Sequence, residues 1–364
     1  MSTTPEDATE GETLDEVAAD PELDFSAALE SIEEYLLGEK PSLTRTEVSA
    51  RAGVSIELAK ELWRLSGFPE QSDDAVAFTS ADAEALRSTQ ILMRLGVLGP
   101  DSQAALVRTW GRSFARLAEW EAALLGDVVL AGADPEAKLG ELAAEVIPRV
   151  DALQSYIWRR HLAAAASRML DLNAIGSTRA QLAICFVDIV GYTSRSKSLD
   201  QSELVEWLEH FEHVATGMVI DHGGRVVKTI GDEILFVTDD PTDAATIALA
   251  LTARGADEED DFPAVRAGIA YGEVVNRLGD VFGPVVNVAA RLTSVARPGS
   301  VLVDVGAYEA LSGRTADPDP AAESEPADEA GAAYRFRRMR RTSVKGYSRL
   351  QSWVLRPARS DVAD

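Results

Sequence analysis

Two short segments in the second half of the chain place a carboxylate at a strand end or in a tight turn. Asp188 lies in the apolar run Leu182–Val190, and Asp232 lies in the turn between two strand-like stretches. Because a sheet fixes the position of a strand end, two such carboxylates can hold hard divalent cations at little ordering cost. Two cations can stabilise the attacking and leaving oxygens of a phosphoryl displacement. Either carboxylate taken alone is equally typical of a plain turn, since each has a glycine nearby.

A third segment places an asparagine and an arginine on one predicted helix. Asp280 precedes the helical stretch Val285–Ala296, and Asn287 and Arg291 lie four residues apart within it. Residues at this spacing project from the same face of a helix, one turn apart. An arginine there can neutralise charge that develops on a phosphoryl group, and an asparagine can hydrogen-bond a ribose. Taken alone, the pair is also typical of a helix-start asparagine and a solvated arginine.

Taken together, these segments resemble the catalytic domain of class III nucleotidyl cyclases. The family's motifs are present as Phe-x-Asp-Ile-x-Gly-[Phe/Tyr]-Thr at 186–193, Lys-x-x-Gly-Asp at 228–232, Asp-x6-Asn-x3-Arg at 280–291 and Lys-Gly at 345–346. The resemblance covers residues 178–357 and includes all six positions that the family needs for turnover. Motifs in this order and at this spacing are not explained by chance.

The resemblance implies a two-metal centre. Asp188 and Asp232 would bind the metals through their carboxylates, and Ile189 would contribute its backbone carbonyl oxygen. The ions would be Mg²⁺ or Mn²⁺, with two in each active site.

The same resemblance implies the contacts to substrate. Lys228 and Asp280 would read the purine. Adenine suits this pair because its N1 accepts from an ammonium and its N6 amino group donates to a carboxylate, whereas guanine presents the opposite pattern. Asn287 would position the ribose, Arg291 would stabilise the transition state, and Lys345 would bind the terminal phosphates. ATP is therefore the expected substrate.

The implied reaction is attack of the ATP 3′-oxygen on the α-phosphorus, which gives 3′,5′-cyclic AMP and pyrophosphate. Positioning and charge neutralisation do most of the work in such a transfer. In this family one subunit supplies the metal ligands Asp188 and Asp232, and the other supplies the base-reading, ribose and transition-state residues. We therefore expect an adenylate cyclase that forms a homodimer with two composite active sites.

The elements that must position these residues predict an α+β domain. Strands and helices follow one another in the order βα-ββ-αβ-αβ over residues 178–357, which predicts an antiparallel sheet with helices on one side. The resemblance implies that this sheet has the ferredoxin-like fold of the family. Residues 314–333 are acidic and rich in proline and alanine, and they predict a disordered surface loop.

The first half of the chain predicts a separate helical region. Residues 1–23 predict a disordered acidic tail, residues 24–150 an all-helical domain, and residues 151–177 a connecting helix. This layout resembles soluble actinobacterial class III cyclases in which an all-helical N-terminal domain restrains catalysis. One such group responds to pH and is linked to fatty-acid binding. The resemblance implies that this domain regulates the cyclase, with pH or a small-molecule or lipid ligand as the candidate signal.

One helical segment suggests a different function. Residues 42–69 resemble the helix-turn-helix of MerR-type regulators. The would-be recognition helix, residues 55–65, carries as many acidic as basic side chains, and residues 1–150 hold 12 basic against 29 acidic residues. Because phosphate contacts supply the affinity of such modules, this charge argues against DNA binding. The alternative hypothesis is a catalytically silent, cyclase-like dimeric signalling module with a DNA-binding helix-turn-helix.

Composition excludes several other classes. The 364 residues carry a net charge of −25, which argues against nucleic acids and anionic membranes as main partners. A single cysteine, Cys185, excludes an intramolecular disulfide and a cysteine-rich zinc site. No apolar run reaches the roughly 18 residues of a membrane span, and the N-terminus is acidic where a signal peptide would be basic. We therefore expect a soluble, cytoplasmic protein without a transmembrane segment.

Overall fold

In the computed structural model the chain forms two compact units, Met1–Arg168 and Met169–Asp364. The predicted acidic tail at 1–23 and most of the predicted acidic loop, at 317–332, lie outside the described residues. The described residues are 26–98, 100–131, 138, 140, 142, 144–171, 179–257, 259–316, 333–339, 342–344 and 347–358.

The N-terminal unit is helical, as its apolar spacing predicts. The β structure found among its described residues is an isolated β-bridge between Leu43 and Phe78. Buried side chains from the second, third and fourth helices form its core, with Val107 contributed by the fifth. The helices are α1 (Ser26–Leu37), α2 (Arg45–Ala52), α3 (Ile56–Ser66), α4 (Ser80–Arg94), α5 (Pro100–Leu130) and α6 (Ile147–Asp171).

The helix-turn-helix-like segment forms two capped helices. The side chain of Ser55 accepts a hydrogen bond from the N–H of Leu58 and so begins α3. The basic groups of α3 are matched by carboxylates: Lys60 Nζ lies 2.7 Å from Asp73 Oδ2, and Arg64 Nη2 lies 2.5 Å from Glu61 Oε2. A helix whose cations already face carboxylates offers little attraction to phosphate.

The C-terminal unit is built on an eight-stranded sheet with the order β2-β3-β1-β4-β6-β10-β7, with β5 paired to β4. Most neighbouring strands run antiparallel, but β4 and β6 are parallel, with Gly268 opposite Leu302. The predicted α+β class is confirmed, but the sheet is mixed and not antiparallel throughout as predicted. The strands are β1 (Arg179–Ile189), β2 (Arg225–Ile230), β3 (Glu233–Thr238), β4 (Val265–Arg277), β5 (Asp280–Phe282), β6 (Val301–Val303), β7 (Tyr334–Arg338), β8 (Thr342–Val344), β9 (Tyr347–Leu350) and β10 (Trp353–Pro357). Strands β8 and β9 form a separate hairpin.

Helices cover both faces of this sheet, so the prediction of helices on one side is also wrong. The helices are α7 (Tyr192–Arg195), α8 (Gln201–Asp221), α9 (Pro241–Arg254), α10 (Pro284–Val295) and α11 (Val305–Ser312). Alternate β1 side chains point to opposite faces. Cys185 and Val187 pack in the core that includes α8, α9 and α11, whereas Ile184 and Phe186 pack in a second core with Ala289 of α10. Burial on both faces explains why β1 is apolar nearly throughout.

Within the part of the chain that the structure describes, every helix is too short or too polar to span a lipid bilayer.

Asp304 connects α11 to the centre of the sheet. Its carboxylate accepts hydrogen bonds from the N–H groups of Ala307 at 2.8 Å and Tyr271 at 3.2 Å. Burial raises the pKa of Asp304 to about 6, although these donors favour the charged form.

Replacing Asp304 with asparagine is expected to remove a pH-dependent part of the stability. The folded chain holds the Asp304 proton more tightly than the unfolded chain does, so stability falls as the pH rises from 3.8 to about 6. The loss is about 2 to 3 kcal/mol, and asparagine avoids it because its oxygen still accepts both hydrogen bonds. Urea unfolding of the wild type and of Asp304→Asn, at mildly acidic and at neutral pH, measures this change in stability. Wild-type and Asp304→Asn stabilities that change in parallel with pH would contradict the expectation.

Candidate active site

Asp188 lies near the C-terminal end of β1, between the two strands that flank it. In the sheet register it stands opposite Glu233 on β3 and Arg266 on β4. Arg266 Nε donates a hydrogen bond to Asp188 Oδ2 at 2.7 Å, and Arg266 Nη2 lies 2.6 Å from the same oxygen in an ion pair. The Asp188 side chain is only 15% exposed. The Asp188 carboxylate is therefore held in place by the sheet and by the Arg266 guanidinium.

Asp232 lies in the hairpin turn between β2 and β3. Gly231, the residue before it, has a φ of +65°, a left-handed conformation that a residue with a Cβ adopts only with strain. The carbonyl oxygen of Asp232 accepts a hydrogen bond from the N–H of Ile189 at 3.1 Å. This hydrogen bond connects the turn to the end of β1, so Asp188, Ile189 and Asp232 lie at the same end of the central strands.

Burial and neighbouring negative charge raise the pKa of two carboxylates here, Asp232 and Glu233. Burial, and then the negative charge of Asp188, raise the pKa of Asp232 above its ordinary value. The same causes, together with the charge of Asp232, raise the pKa of Glu233 to about 7. Arg266 offsets only part of this repulsion. A bound cation would relieve the rest, so the charges present here fit the predicted metals.

The donor set also fits a metal that is shared with substrate. No group of three or more histidine, cysteine, aspartate or glutamate side chains is arranged to hold a metal within the part of the chain that the structure describes. Mg²⁺ is commonly held by one or two carboxylates, with waters and substrate phosphates completing its shell. Asp188, Asp232 and the Ile189 carbonyl match that pattern.

Lys228 and Asp280 form an ion pair with each other, on strands β2 and β5. Lys228 Nζ lies 2.6 Å from Asp280 Oδ2, which joins β2 to β5. Both side chains are partly exposed, at 42% and 30%. The pair therefore presents an adjacent donor and acceptor that a base edge can reach. Among the described residues, no hydrogen bond or ion pair links either member to Asp188 or Asp232.

Helix α10 carries the two remaining candidates. Pro284 is at the start of the helix, where its fixed φ suits the first turn. Asn287 is exposed and Arg291 is half-buried, one turn apart. The apolar side of the helix packs on the sheet through Ala289 and Leu292, which leaves the two polar groups free to face a ligand.

Gly268 on β4 allows α10 to lie unusually close to the sheet. A Cβ at this position would lie 2.4 Å from the Thr293 backbone nitrogen and 2.6 Å from the Ala289 carbonyl oxygen. Thr293 is itself fixed, because its hydroxyl donates to the Phe186 carbonyl of β1 at 3.3 Å and to that of Ala289 at 3.0 Å. The placement of Asn287 and Arg291 therefore depends on the absence of a side chain at Gly268.

Substituting Gly268 with alanine is expected to reduce catalysis even if the chain folds. The added methyl group must displace α10, which moves Asn287 and Arg291, and a displacement near 1 Å can cost about a hundredfold in rate. The matched control is Gly126→Ala, because nothing lies within 4 Å of a Cβ added at Gly126. Cyclase kinetics and circular dichroism of both variants test the prediction. Unchanged kcat in Gly268→Ala would show that the close approach does not position the site.

The predicted phosphate contact, Lys345, lies outside the described residues, between β8 and β9. Its role stays a prediction.

Sequence reasoning missed Arg266 and Glu233, which are the immediate neighbours of Asp188. Both occupy ordinary strand positions, and neither stands out by spacing along the chain. They meet Asp188 only through the register that places β3 and β4 on either side of β1. An expected strand order with Asp188 on the central strand would have identified both.

Comparison with known proteins identifies a family that matches the C-terminal unit and relatives that match most of the chain. Residues 177–356 match the family model described as the adenylate and guanylate cyclase catalytic domain. An adenylate cyclase of Streptomyces coelicolor is 38% identical over 344 residues, which cover 89% of this chain and 88% of that protein. An adenylate cyclase of Glutamicibacter nicotianae is 38% identical over 75% of this chain and 73% of its own length.

A third relative is an adenylate cyclase named for its sensitivity to pH. A pH-sensitive adenylate cyclase of Mycobacterium tuberculosis is 30% identical over 76% of this chain and 72% of its own length. The matches to all three relatives are longer than the catalytic domain alone, since each spans more than 280 residues. The relatives favour the enzyme over the catalytically silent alternative. With the sheet, the paired carboxylates and the family match in agreement, the chain belongs to the class III adenylyl cyclases.

Proposed function

We propose that this adenylate cyclase acts as a homodimer in which each active site takes its metal ligands from one chain and its base-reading and transition-state residues from the other. The observation that carries this proposal is that the interactions of the two groups are separate within one chain. Asp188 and Asp232 form one cluster, Lys228 and Asp280 form another, and no hydrogen bond or ion pair joins the clusters among the described residues. A second chain placed head to tail would bring one cluster to the other, twice.

In this proposal the residues of the chain bind, orient and neutralise. Asp188, Asp232 and the Ile189 carbonyl would hold Mg²⁺ or Mn²⁺, which when bound acidifies the 3′-hydroxyl and neutralises phosphate charge. Asn287 would hold the ribose so that its 3′-oxygen faces the α-phosphorus. Arg291 would neutralise the charge that develops on the phosphoryl oxygens in the transition state. Because the helix α10 is fixed to the sheet, both side chains are held in place before substrate binds.

The direct test uses the full chain. Purified protein with ATP and Mg²⁺ or Mn²⁺ is expected to release cyclic AMP and pyrophosphate in equal amounts. GTP under the same conditions is expected to give far less cyclic product. A chain that releases no cyclic AMP with either metal would contradict the proposal.

Selectivity for ATP is proposed to depend on the Lys228–Asp280 pair. The Asp280→Asn substitution keeps the shape but turns an acceptor-only group into one that also donates, which weakens the match to the adenine N6 amino group. We expect kcat/KM for ATP to fall at least about tenfold while the preference over GTP shrinks, because the selective contact is weakened. The measurement is a pair of kcat/KM values for the two nucleotides, with Glu273→Gln as the control for removing an exposed carboxylate elsewhere on the same sheet. An unchanged ATP-to-GTP ratio would remove Asp280 from base recognition.

We further propose that the helical N-terminal unit regulates the cyclase. A domain need only bias whether the two catalytic units can close on each other in order to change turnover. The pH-sensitive relative makes pH one candidate signal, and a small-molecule or lipid ligand is the other. Cyclic AMP formation by the full chain from mildly acidic to neutral pH, with and without fatty acid, tests both. A rate that follows neither variable would contradict this part of the proposal.

A further inference from the structure

The hairpin that joins β4 to β5 holds a leucine in the left-handed region of backbone conformation. Arg277 and Asp280 are the paired residues at the ends of these strands, so the turn between them consists of Leu278 and Gly279. Their φ angles are +56° and +78°, and a two-residue hairpin turn in which both are positive is of type I′. Asparagine followed by glycine is the favoured sequence in such a turn. Leucine is disfavoured there, because its Cβ crowds the following carbonyl oxygen.

Packing within the chain does not account for a leucine at this position. Among the described residues, Leu278 is the one non-glycine residue with a positive φ. Its side chain is 44% exposed and lies outside the apolar cores on both faces of the sheet. Strained residues of this kind cluster at ligand-binding sites, where the strain is part of how the site works. The strain at Leu278 therefore calls for an explanation in terms of a ligand.

The strained turn lies beside the ion pair proposed above to recognise the base. Leu278 precedes Asp280 by two residues, and the Asp280 carboxylate holds Lys228 Nζ at 2.6 Å. The Gly279 carbonyl oxygen accepts a hydrogen bond from Arg225 Nη1 at 3.4 Å. Two side chains of β2 therefore hold the hairpin. The leucine is fixed next to the donor and the acceptor that a base edge can reach.

Two further apolar side chains are exposed on the same hairpin. Val275 and Phe282 stand opposite each other in the register of β4 and β5, and they are 38% and 50% exposed. Phe282 and Asp280 are two residues apart on one strand, so their side chains project from the same face. An ion pair beside exposed apolar groups suits a purine, because the edge of a purine is polar and its two faces are apolar.

We propose that Leu278 is a base-contacting residue, whose side chain lies against one face of the purine while Lys228 and Asp280 read its edge. This rests on the proposed function, in which the ion pair recognises adenine. A contact to the face of a base is tolerant of base identity, since every purine presents a similar apolar face. Leu278 therefore strengthens the binding of ATP and GTP alike, and the choice between them belongs to the ion pair. The turn loses some stability by holding a leucine, and the site gains affinity for the nucleotide.

The Leu278→Asn substitution tests this proposal because it moves stability and affinity in opposite directions. Asparagine suits the turn, so the equilibrium constant for folding is expected to rise at least about threefold. The apolar contact is lost, so the dissociation constant of a nucleotide is expected to rise about tenfold. Urea unfolding of the full chain measures the first change. Calorimetric titration with 3′-deoxy-ATP and Mg²⁺ measures the second without turnover, since this nucleotide lacks the attacking hydroxyl group.

Two control variants separate the apolar contact from other effects of the change. Leu278→Met keeps both the strain and an apolar side chain, and we expect its affinity and its stability to stay within about threefold of wild type. Val205→Asn removes an apolar side chain of similar exposure, 47%, from helix α8, and its affinity is expected to change less than about twofold. In turnover assays of Leu278→Asn, KM for ATP and KM for GTP are expected to rise by the same factor, with kcat nearly unchanged.

Several results would overturn the proposal. A Leu278→Asn chain that gains stability but binds 3′-deoxy-ATP as tightly as wild type would show that the side chain does not touch the base. A chain that gains no stability would show that the turn does not strain the leucine. A Leu278→Met chain that binds as weakly as Leu278→Asn, or a changed ATP-to-GTP ratio, would also contradict a face contact. A dimer dissociation constant that rises with KM in sedimentation equilibrium would assign Leu278 to a contact between chains instead.

Failure of the proposed function gives a different result. A wild type that binds 3′-deoxy-ATP but releases no cyclic AMP from ATP would contradict the proposed function. The base contact would still hold if Leu278→Asn then bound this nucleotide about tenfold more weakly than wild type.

Discussion

Replacing Asp188 or Asp232 with asparagine is expected to lower cyclic AMP formation at least about a thousandfold. Each change removes one negative charge from the cluster that fits the metals while keeping the shape of the side chain. Loss of preorganised charge stabilisation at a phosphoryl-transfer site costs on this scale. Mn²⁺ affinity, measured by electron paramagnetic resonance of the full chain, is expected to fall in parallel. A loss of activity without a loss of Mn²⁺ binding would contradict the assigned role.

The neighbouring Glu233 provides the matched control. It stands opposite Asp188 in the sheet, and burial already raises its pKa to about 7. The substitution Glu233→Gln therefore removes a carboxylate at the same edge without removing a proposed ligand, and we expect no more than about a tenfold effect. A Glu233→Gln variant as inactive as Asp188→Asn would move the metal site toward Glu233.

Stability distinguishes folding defects from loss of chemistry in these variants. The Asp188→Asn change leaves the half-buried guanidinium of Arg266 without a charged partner. Because an unpaired charge in this position costs more than an exposed one, we expect the variant to lose about 1 to 2 kcal/mol of stability. That loss is too small to unfold a typical domain, so an inactive but folded chain is the expected product.

Mixing two inactive chains is expected to restore activity. Asp188→Asn and Asn287→Ala each break both sites of a homodimer if the site is shared between chains. In a mixed dimer one site collects both defects and the other collects none. With free exchange of subunits, half of the dimers are mixed, so roughly a quarter of the wild-type activity returns.

The control mixture combines Asp188→Asn with Asp232→Asn. These two residues lie in one cluster of one chain, so each site of a mixed dimer keeps one defect. No activity is expected to return. Recovery in this control, or failure in the first mixture, would show that the site is not shared in the proposed way. A mixture of Asp188→Asn with Arg291→Ala checks the result through the second α10 residue.

The local elements of the catalytic unit could be predicted from the chain, and their arrangement could not. The apolar run around Cys185 predicts a strand buried on both faces, because only such a strand has no polar alternation. The close approach of α10 to the sheet depends on Gly268, where the helix backbone comes within a distance that a Cβ would prevent. The parallel pairing of β4 and β6 likewise depends on how the chain crosses over after α10, which local spacing does not specify.

The sequence by itself determined the chemistry available to this protein. The spacing of the motifs along the chain is enough to identify the candidate site residues Asp188, Asp232, Asn287 and Arg291. Only the tertiary structure decided what surrounds them. Arg266 and Asp188 are 78 residues apart in the chain, and they meet because their strands are neighbours in the sheet. Exposure also belongs to the fold: helical periodicity predicts an apolar stripe, but whether its own chain covers that stripe depends on the neighbouring elements. The exposure of Trp110 and Phe114 on α5 is therefore a property of the folded chain.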